Sequence, residues 1–110
     1  MYISAIVCIL AGALICYFGL KNLKGDISSL HSYHYKNVKE EDVAAFGKQV
    51  GIGTMIMGAS VVLMGLGDLA FAITAIEIFT TLGLILMGVG MIIGCIITCA
   101  AMKKYNGGIF

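Results

Sequence analysis

The residues GDISSLHSYHYKNVKEEDVAAFGKQ, positions 25–49, form the only long segment of this chain too polar to lie in hydrocarbon. On either side runs an apolar tract, Tyr2 to Leu20 and Val50 to Met102, and neither holds a Lys, Arg or Pro. Crossing a bilayer core takes about 20 predominantly apolar residues. The first tract is therefore one span, and the second, 53 residues long, is two spans with a tight connection. Composition agrees: 60% of the 110 residues are apolar, 12% are charged and the mean hydropathy is +1.01. A soluble domain of this length has too little interior to bury that much apolar surface. Tyr2 to Leu20 lacks the basic n-region of a secretory signal, so it reads as a retained helix.

The long tract must be divided, and its only charges, Asp68 and Glu77, bracket the division. The sequence thus predicts an all-α integral membrane protein, one domain over residues 1–110. Its spans lie at about 2–20, 50–69 and 78–102, with a polar loop over 21–49 and a connection through Ala70 to Ala75.

Lysine placement predicts the orientation. Lys21, Lys24, Lys36, Lys39 and Lys48 lie in or beside the loop, and Lys103 and Lys104 follow the third span. Three spans put the loop and the tail on one side, and loops rich in Lys and Arg stay cytoplasmic. The expectation is a multi-pass cell-membrane protein with its N-terminus outside. Asp26, Glu40, Glu41 and Asp42 nearly cancel the loop lysines in number, which weakens any attraction of the loop to anionic lipid.

Small residues recur inside the spans. Ala5, Gly12 and Gly19 are seven apart, with Cys8 and Cys16 on the same side, and Gly51, Gly58 and Gly65 repeat the spacing, joined by Gly47 and Thr54. Helices in lipid gain nothing from burying apolar surface, so they adhere where small side chains let backbones touch. A seven-residue repeat favours a nearly aligned crossing. The third span carries Gly83, Gly90 and Gly94 on one face and Thr81, Gly88, Cys95 and Cys99 on another, so it can meet two neighbours, one of them in a second copy. The four cysteines read as small, unreactive packers.

Within the loop, Asn37-Val38-Lys39-Glu40 has the form of a capping box, predicting a helix from Val38 that runs unbroken into the second span. Glu40, Glu41 and Asp42 then sit at the positive end of its dipole, and Val43 and Phe46 are expected against the headgroups. A second short helix from Ile27 would put Ile27, Leu30, His31 and His34 on one side. His31 and His34 have the spacing of metal ligands but need a third ligand, from Asp26, Glu40 or another protomer. The reading preferred is an interfacial belt of Tyr and His rings, with a pH-sensitive contact as a further alternative; no metal or other cofactor is expected.

The segment Ser29-Leu30-His31-Ser32-Tyr33-His34-Tyr35-Lys36-Asn37-Val38-Lys39-Glu40-Glu41-Asp42 resembles one in a domain-of-unknown-function family of small membrane proteins from Gram-positive anaerobes. The likeness extends over the flanking spans, and it implies three spans and no particular activity. There is a looser likeness, in size and span count, to membrane modules of peptide-toxin immunity and signal transduction. Small multidrug exporters, four-span dimers with a carboxylate inside the first span, fit poorly, since Tyr2 to Leu20 holds no acidic residue.

No nucleophile elbow, phosphate-binding glycine loop or close carboxylate pair is legible, so no catalytic residue is assigned and no enzyme is expected. The expected partners are the bilayer and a second copy or another membrane protein, not nucleic acid. The alternative is a homo-oligomeric channel or carrier using Asp68 and Glu77. In that alternative the two carboxylates meet across the turn and share a proton.

Overall fold

The computed structural model describes residues 2–25 and 38–107. Among these residues three helices run along the long axis of a molecule 51 × 19 × 18 Å in extent. They are α1 (Tyr2–Leu23), α2 (Val43–Thr74) and α3 (Ile78–Asn106), and a 3-10 turn, Glu40–Asp42, leads into α2. Each helix is long and apolar enough to cross a membrane, and the chain is an all-α, three-span, multi-pass membrane protein.

The helices outrun the predicted spans, because nothing in the sequence stops them where the apolar residues end. α1 continues past Leu20 with Lys21 in its last turn, and α3 continues past Met102 with Lys103 and Lys104 in its last turn. The negative end of each helix dipole favours those cations. α3 stops at Gly107, whose φ of 80° is a left-handed conformation that glycine adopts without a Cβ penalty, and its N–H bonds to the Met102 carbonyl.

The connection predicted at Ala70 to Ala75 is shorter and later. Residues 69–74 include no Gly or Pro, so α2 persists to Thr74, and only Ala75, at φ 59° and ψ 21°, turns the chain. The Ala75 N–H donates to the Phe71 carbonyl at 2.7 Å. The Thr74 hydroxyl stabilises this corner from both sides, donating to the Ala70 carbonyl at 2.7 Å and accepting from the Ile76 N–H at 3.3 Å.

The start of α2 also departs from expectation. Val38 is not its first residue: Lys39 is extended (φ −69°, ψ 148°), the 3-10 turn follows, and regular α-helix begins at Val43. The extended backbone lets Val38 pack against the buried cluster of Phe46, Val50, Ala101 and Met102, a gain that an early helical start would forgo. Asn37, the proposed cap, lies outside the described residues, as does the predicted short helix from Ile27. Past this start, α2 runs without interruption from the polar end into the second span.

α2 is the middle of the structure. α1 and α3 each pack along it and make little contact with each other. Two residue steps turn a helix by about 200°, so the series Gly51, Gly58, Gly65 and the series Gly53, Ser60, Gly67 occupy opposite sides of α2. The first series faces α1 in antiparallel register. A methyl group on Gly12 would stand 2.7 Å from the Gly58 carbonyl oxygen, and one on Gly58 would stand 2.9 Å from the Gly12 oxygen. Likewise Gly51 would meet the Gly19 oxygen at 2.7 Å, and Gly65 the Ala5 oxygen at 2.9 Å. The second series faces α3: a methyl on Gly53 would stand 2.8 Å from the Gly94 oxygen and one on Gly94 2.6 Å from the Gly53 oxygen, one on Gly90 would meet the Ser60 hydroxyl at 2.8 Å, and one on Gly67 would stand 3.3 Å from the Gly83 Cα. Distances this short leave no room for a side chain, so the helix backbones themselves are in contact.

A single methyl tests that contact. Gly58→Ala should lower the thermal midpoint in detergent, an overpacking penalty of about 1–3 kcal/mol. Measured on single copies in dilute detergent, Gly88→Ala, at a position with open space around it within the chain, should leave the midpoint unchanged or raise it, since Ala surpasses Gly in a helix by about 1 kcal/mol. Equal behaviour of the two variants would show that backbone contact at Gly58 does not hold α1 on α2.

Candidate functional site

Polar side chains gather at the two ends of the bundle. At the end formed by the α2–α3 turn, Asp68 is half-buried one and a half turns before α2 stops. Its Oδ1 accepts a hydrogen bond from the Thr80 hydroxyl of α3. Thr80 is thus the group that reaches Asp68 across the turn. Glu77 is exposed, and its backbone carbonyl accepts the Thr81 N–H at 3.2 Å. A carboxylate bonded to a hydroxyl on the neighbouring helix both satisfies a costly polar group and pins the ends of two spans together. No sequence rule singled out Thr80, because only the tertiary turn places it beside Asp68.

The other end holds the lysines and the best-buried side chains. Phe46 and Val50 of α2 and Ala101 and Met102 of α3 are buried, with Val38 and Tyr105 packed against them. Phe46 was expected against headgroups, yet it is wholly buried, its ring edge-to-face with Tyr105 at 6.1 Å. The reason is its face: one turn before Val50, it lies toward α3, which continues beyond Met102 far enough to cover it. Val43 is half-buried. Asn22 and Asn106, from the ends of α1 and α3, are buried, and each has an interaction partner. The Gln49 side chain donates to the Ile97 carbonyl at 3.2 Å and ties α2 to α3 above the cluster.

The predicted packing residues fall into two sets. Ala5, Gly12 and Gly19 stand opposite Gly65, Gly58 and Gly51 between α1 and α2, while Gly90 and Gly94 lie against α2. The second α2 series, Gly53, Ser60 and Gly67, was not recognised in the sequence, although it has the same seven-residue spacing two positions further on. The Ser60 hydroxyl turns back to the Met57 carbonyl at 2.7 Å, which frees its face for Gly90. Of α3's two faces only one is used: Thr81, Gly88 and Cys99 are exposed, and nothing surrounds Gly88. Cys95, at the border, directs its thiol to the Met57 sulfur at 3.8 Å, and Cys16 directs its thiol to the Met55 carbonyl at 3.8 Å.

His31, His34 and Asp26 lie outside the described residues. Among the described residues no three His, Cys, Asp or Glu side chains are grouped to hold a metal ion, and all four cysteines are free thiols. Among the described residues the arrangement is one of packing surfaces, charged ends and the Asp68–Thr80 carboxylate–hydroxyl pair. No family model, no curated protein and no solved structure matches the chain.

Proposed function

We propose that this protein works by assembly in the cell membrane, pairing with a second copy of itself through the face of α3 that α2 leaves open. The supporting observation is the repetition of one design. On α2, two small-residue series two positions apart each receive a helix. On α3, the series containing Gly83 and Gly90 receives α2, while the series containing Thr81 and Gly88, two positions earlier, faces outward. A helix in lipid gains from such a face only by close approach to another helix. Two copies inserted the same way would pair their α3 helices in parallel about a twofold axis, so that each residue near the axis meets itself. No catalytic step belongs to this proposal. Membership of the family from Gram-positive anaerobes, which the loop resembles, is part of it and brings no activity.

The orientation proposed is N-terminus outside, with residues 21–49 and the C-terminus in the cytoplasm. Its support is that the six described lysines lie toward one end of the molecule, with Asp68 and Glu77 at the other. A second reading, a homo-oligomeric channel or carrier using Asp68 and Glu77, draws on the half-buried Asp68 carboxylate, since ionisable groups among spans often mark ion paths.

Each element has its own measurement. In a variant keeping only Cys99, mild oxidation of membranes should yield a disulfide-linked dimer, and adding Gly88→Leu should abolish it while the helix content persists. Absence of the dimer, or its survival in Gly88→Leu, removes this face as the contact. For orientation, an impermeant thiol reagent applied to intact cells should label Thr74→Cys and spare Lys39→Cys in a background free of other cysteines; the reverse pattern inverts the topology. For the second reading, cation flux in liposomes should fall in Asp68→Asn and Glu77→Gln, and silence of the unaltered protein in every cation tried eliminates it.

A further inference from the structure

The register of the three helices places lysines from all of them at one depth. Gly51 lies against Gly19 and Leu23, which sets Lys21 and Lys24 level with α2 near Val50 and Gly47. Phe46 packs with Ala101, Met102 and Tyr105, which sets Lys103 and Lys104 level with α2 near Ala45. Lys48 belongs to α2 itself. At about 1.5 Å per residue, these five lysines fall in a band about 8 Å deep around the bundle. That depth matches a headgroup layer, since a bilayer core of about 30 Å widens to about 40–45 Å with its two polar zones.

The opposite boundary agrees. From Lys48 to Asp68 is twenty residues of continuous helix, about 30 Å, so the lysine band and Asp68 bracket one hydrocarbon thickness. Glu40, Glu41 and Asp42, the carboxylates that oppose these lysines in simple counting, precede α2. Val38, beside their 3-10 turn, packs back on the Phe46 cluster, so the carboxylates stand near the band, where the six described lysines still outnumber them two to one. Asp26 and Lys36 cancel one another in charge and lie outside the described residues. Two of these lysines have a tyrosine beside them: Lys104 Nζ is 5.1 Å from the Tyr105 ring centre and Lys21 Nζ is 5.8 Å from that of Tyr17, which lies about a turn deeper. Amphipathic rings of this kind settle at the headgroup level.

We infer that Lys24, Lys48, Lys103 and Lys104, brought to one depth by the helix register, form a collar that binds the headgroups of anionic phospholipids in preference to zwitterionic ones. The collar surrounds the end where Phe46, Val50, Ala101 and Met102 are buried, so lipid binding there also braces the best-packed part of the molecule.

The test is lipid selection in nanodiscs of mixed phosphatidylglycerol and phosphatidylcholine, in which both leaflets have the same composition and protein orientation does not matter. Lipid retained after mild detergent extraction should be enriched in phosphatidylglycerol over the bulk ratio by about fivefold or more, and the enrichment should fall as salt rises. Lys48→Gln with Lys103→Gln and Lys104→Gln should return it to the bulk ratio, whereas Glu77→Gln, exposed at the opposite end, should leave it in place. If the triple variant loses its helices, Lys103→Gln alone should weaken the enrichment measurably, and the salt titration of the unaltered protein stands independently. Retention at the bulk ratio, enrichment insensitive to the lysines, or displacement by inorganic phosphate at equal charge concentration would each overturn the proposal; the last would mark a free-phosphate site instead.

Discussion

Backbone-to-backbone contact along both sides of α2 is the interaction on which this structure depends. In water, an apolar helix is driven to its neighbours by burying surface; among acyl chains that drive is missing, and van der Waals contact and weak polar contacts between backbones replace it. Such forces are short-ranged, so they count only where the axes come close. Gly12 against Gly58, Gly19 against Gly51 and Gly53 against Gly94 supply that closeness. The lack of side chains at these positions is therefore a positive structural feature, repeated at intervals that keep the contact in line over the length of the span.

A layer of three helices built around a central one has a consequence for its outer members. α1 and α3 each use one side, and only 17%, 17% and 11% of the most apolar stretches of the three successive spans are buried, so lipid or further protein must cover most of each. For α1 the outward surface is made of large side chains such as Ile3, Leu10 and Leu14, well suited to acyl chains. For α3 it includes the open Gly88 and Cys99 among Ile85 and Ile92.

Among the described residues the charged side chains lie at the ends, and the two ends differ. At the turn, a single Asp68–Thr80 pair joins α2 to α3 near the edge of the hydrocarbon. At the other end, aromatic and aliphatic side chains close the space between α2 and α3, and Asn22 and Asn106 are buried with partners at the helix termini. Water is available at that end, so apolar burial there is driven as in a soluble protein, which explains why the wholly buried large side chains, Phe46 and Val50, are found there.

The membrane class, the number of spans and the polar segment between the first two followed from the sequence by itself, because the thickness of hydrocarbon sets a length that the apolar tracts must match and backbone polar groups leave only helices to match it. The seven-residue spacings in α1 and α2 were equally legible, since periodicity reveals which residues share a face. Periodicity does not reveal which helix meets that face or at what height. The tertiary structure therefore decided that Gly51, Gly58 and Gly65 receive α1, that the overlooked Gly53, Ser60 and Gly67 receive α3, that Thr80 reaches Asp68, and that Phe46 points inward. It also moved the turn to Ala75 and delayed the start of α2, because helix ends are settled by corner hydrogen bonds and local packing that hydropathy does not encode. Depth is the clearest case: Lys103 and Lys104 are far from Lys21, Lys24 and Lys48 in the chain, but the antiparallel register of three helices brings them to one level, and charge acts at a distance in space rather than in sequence.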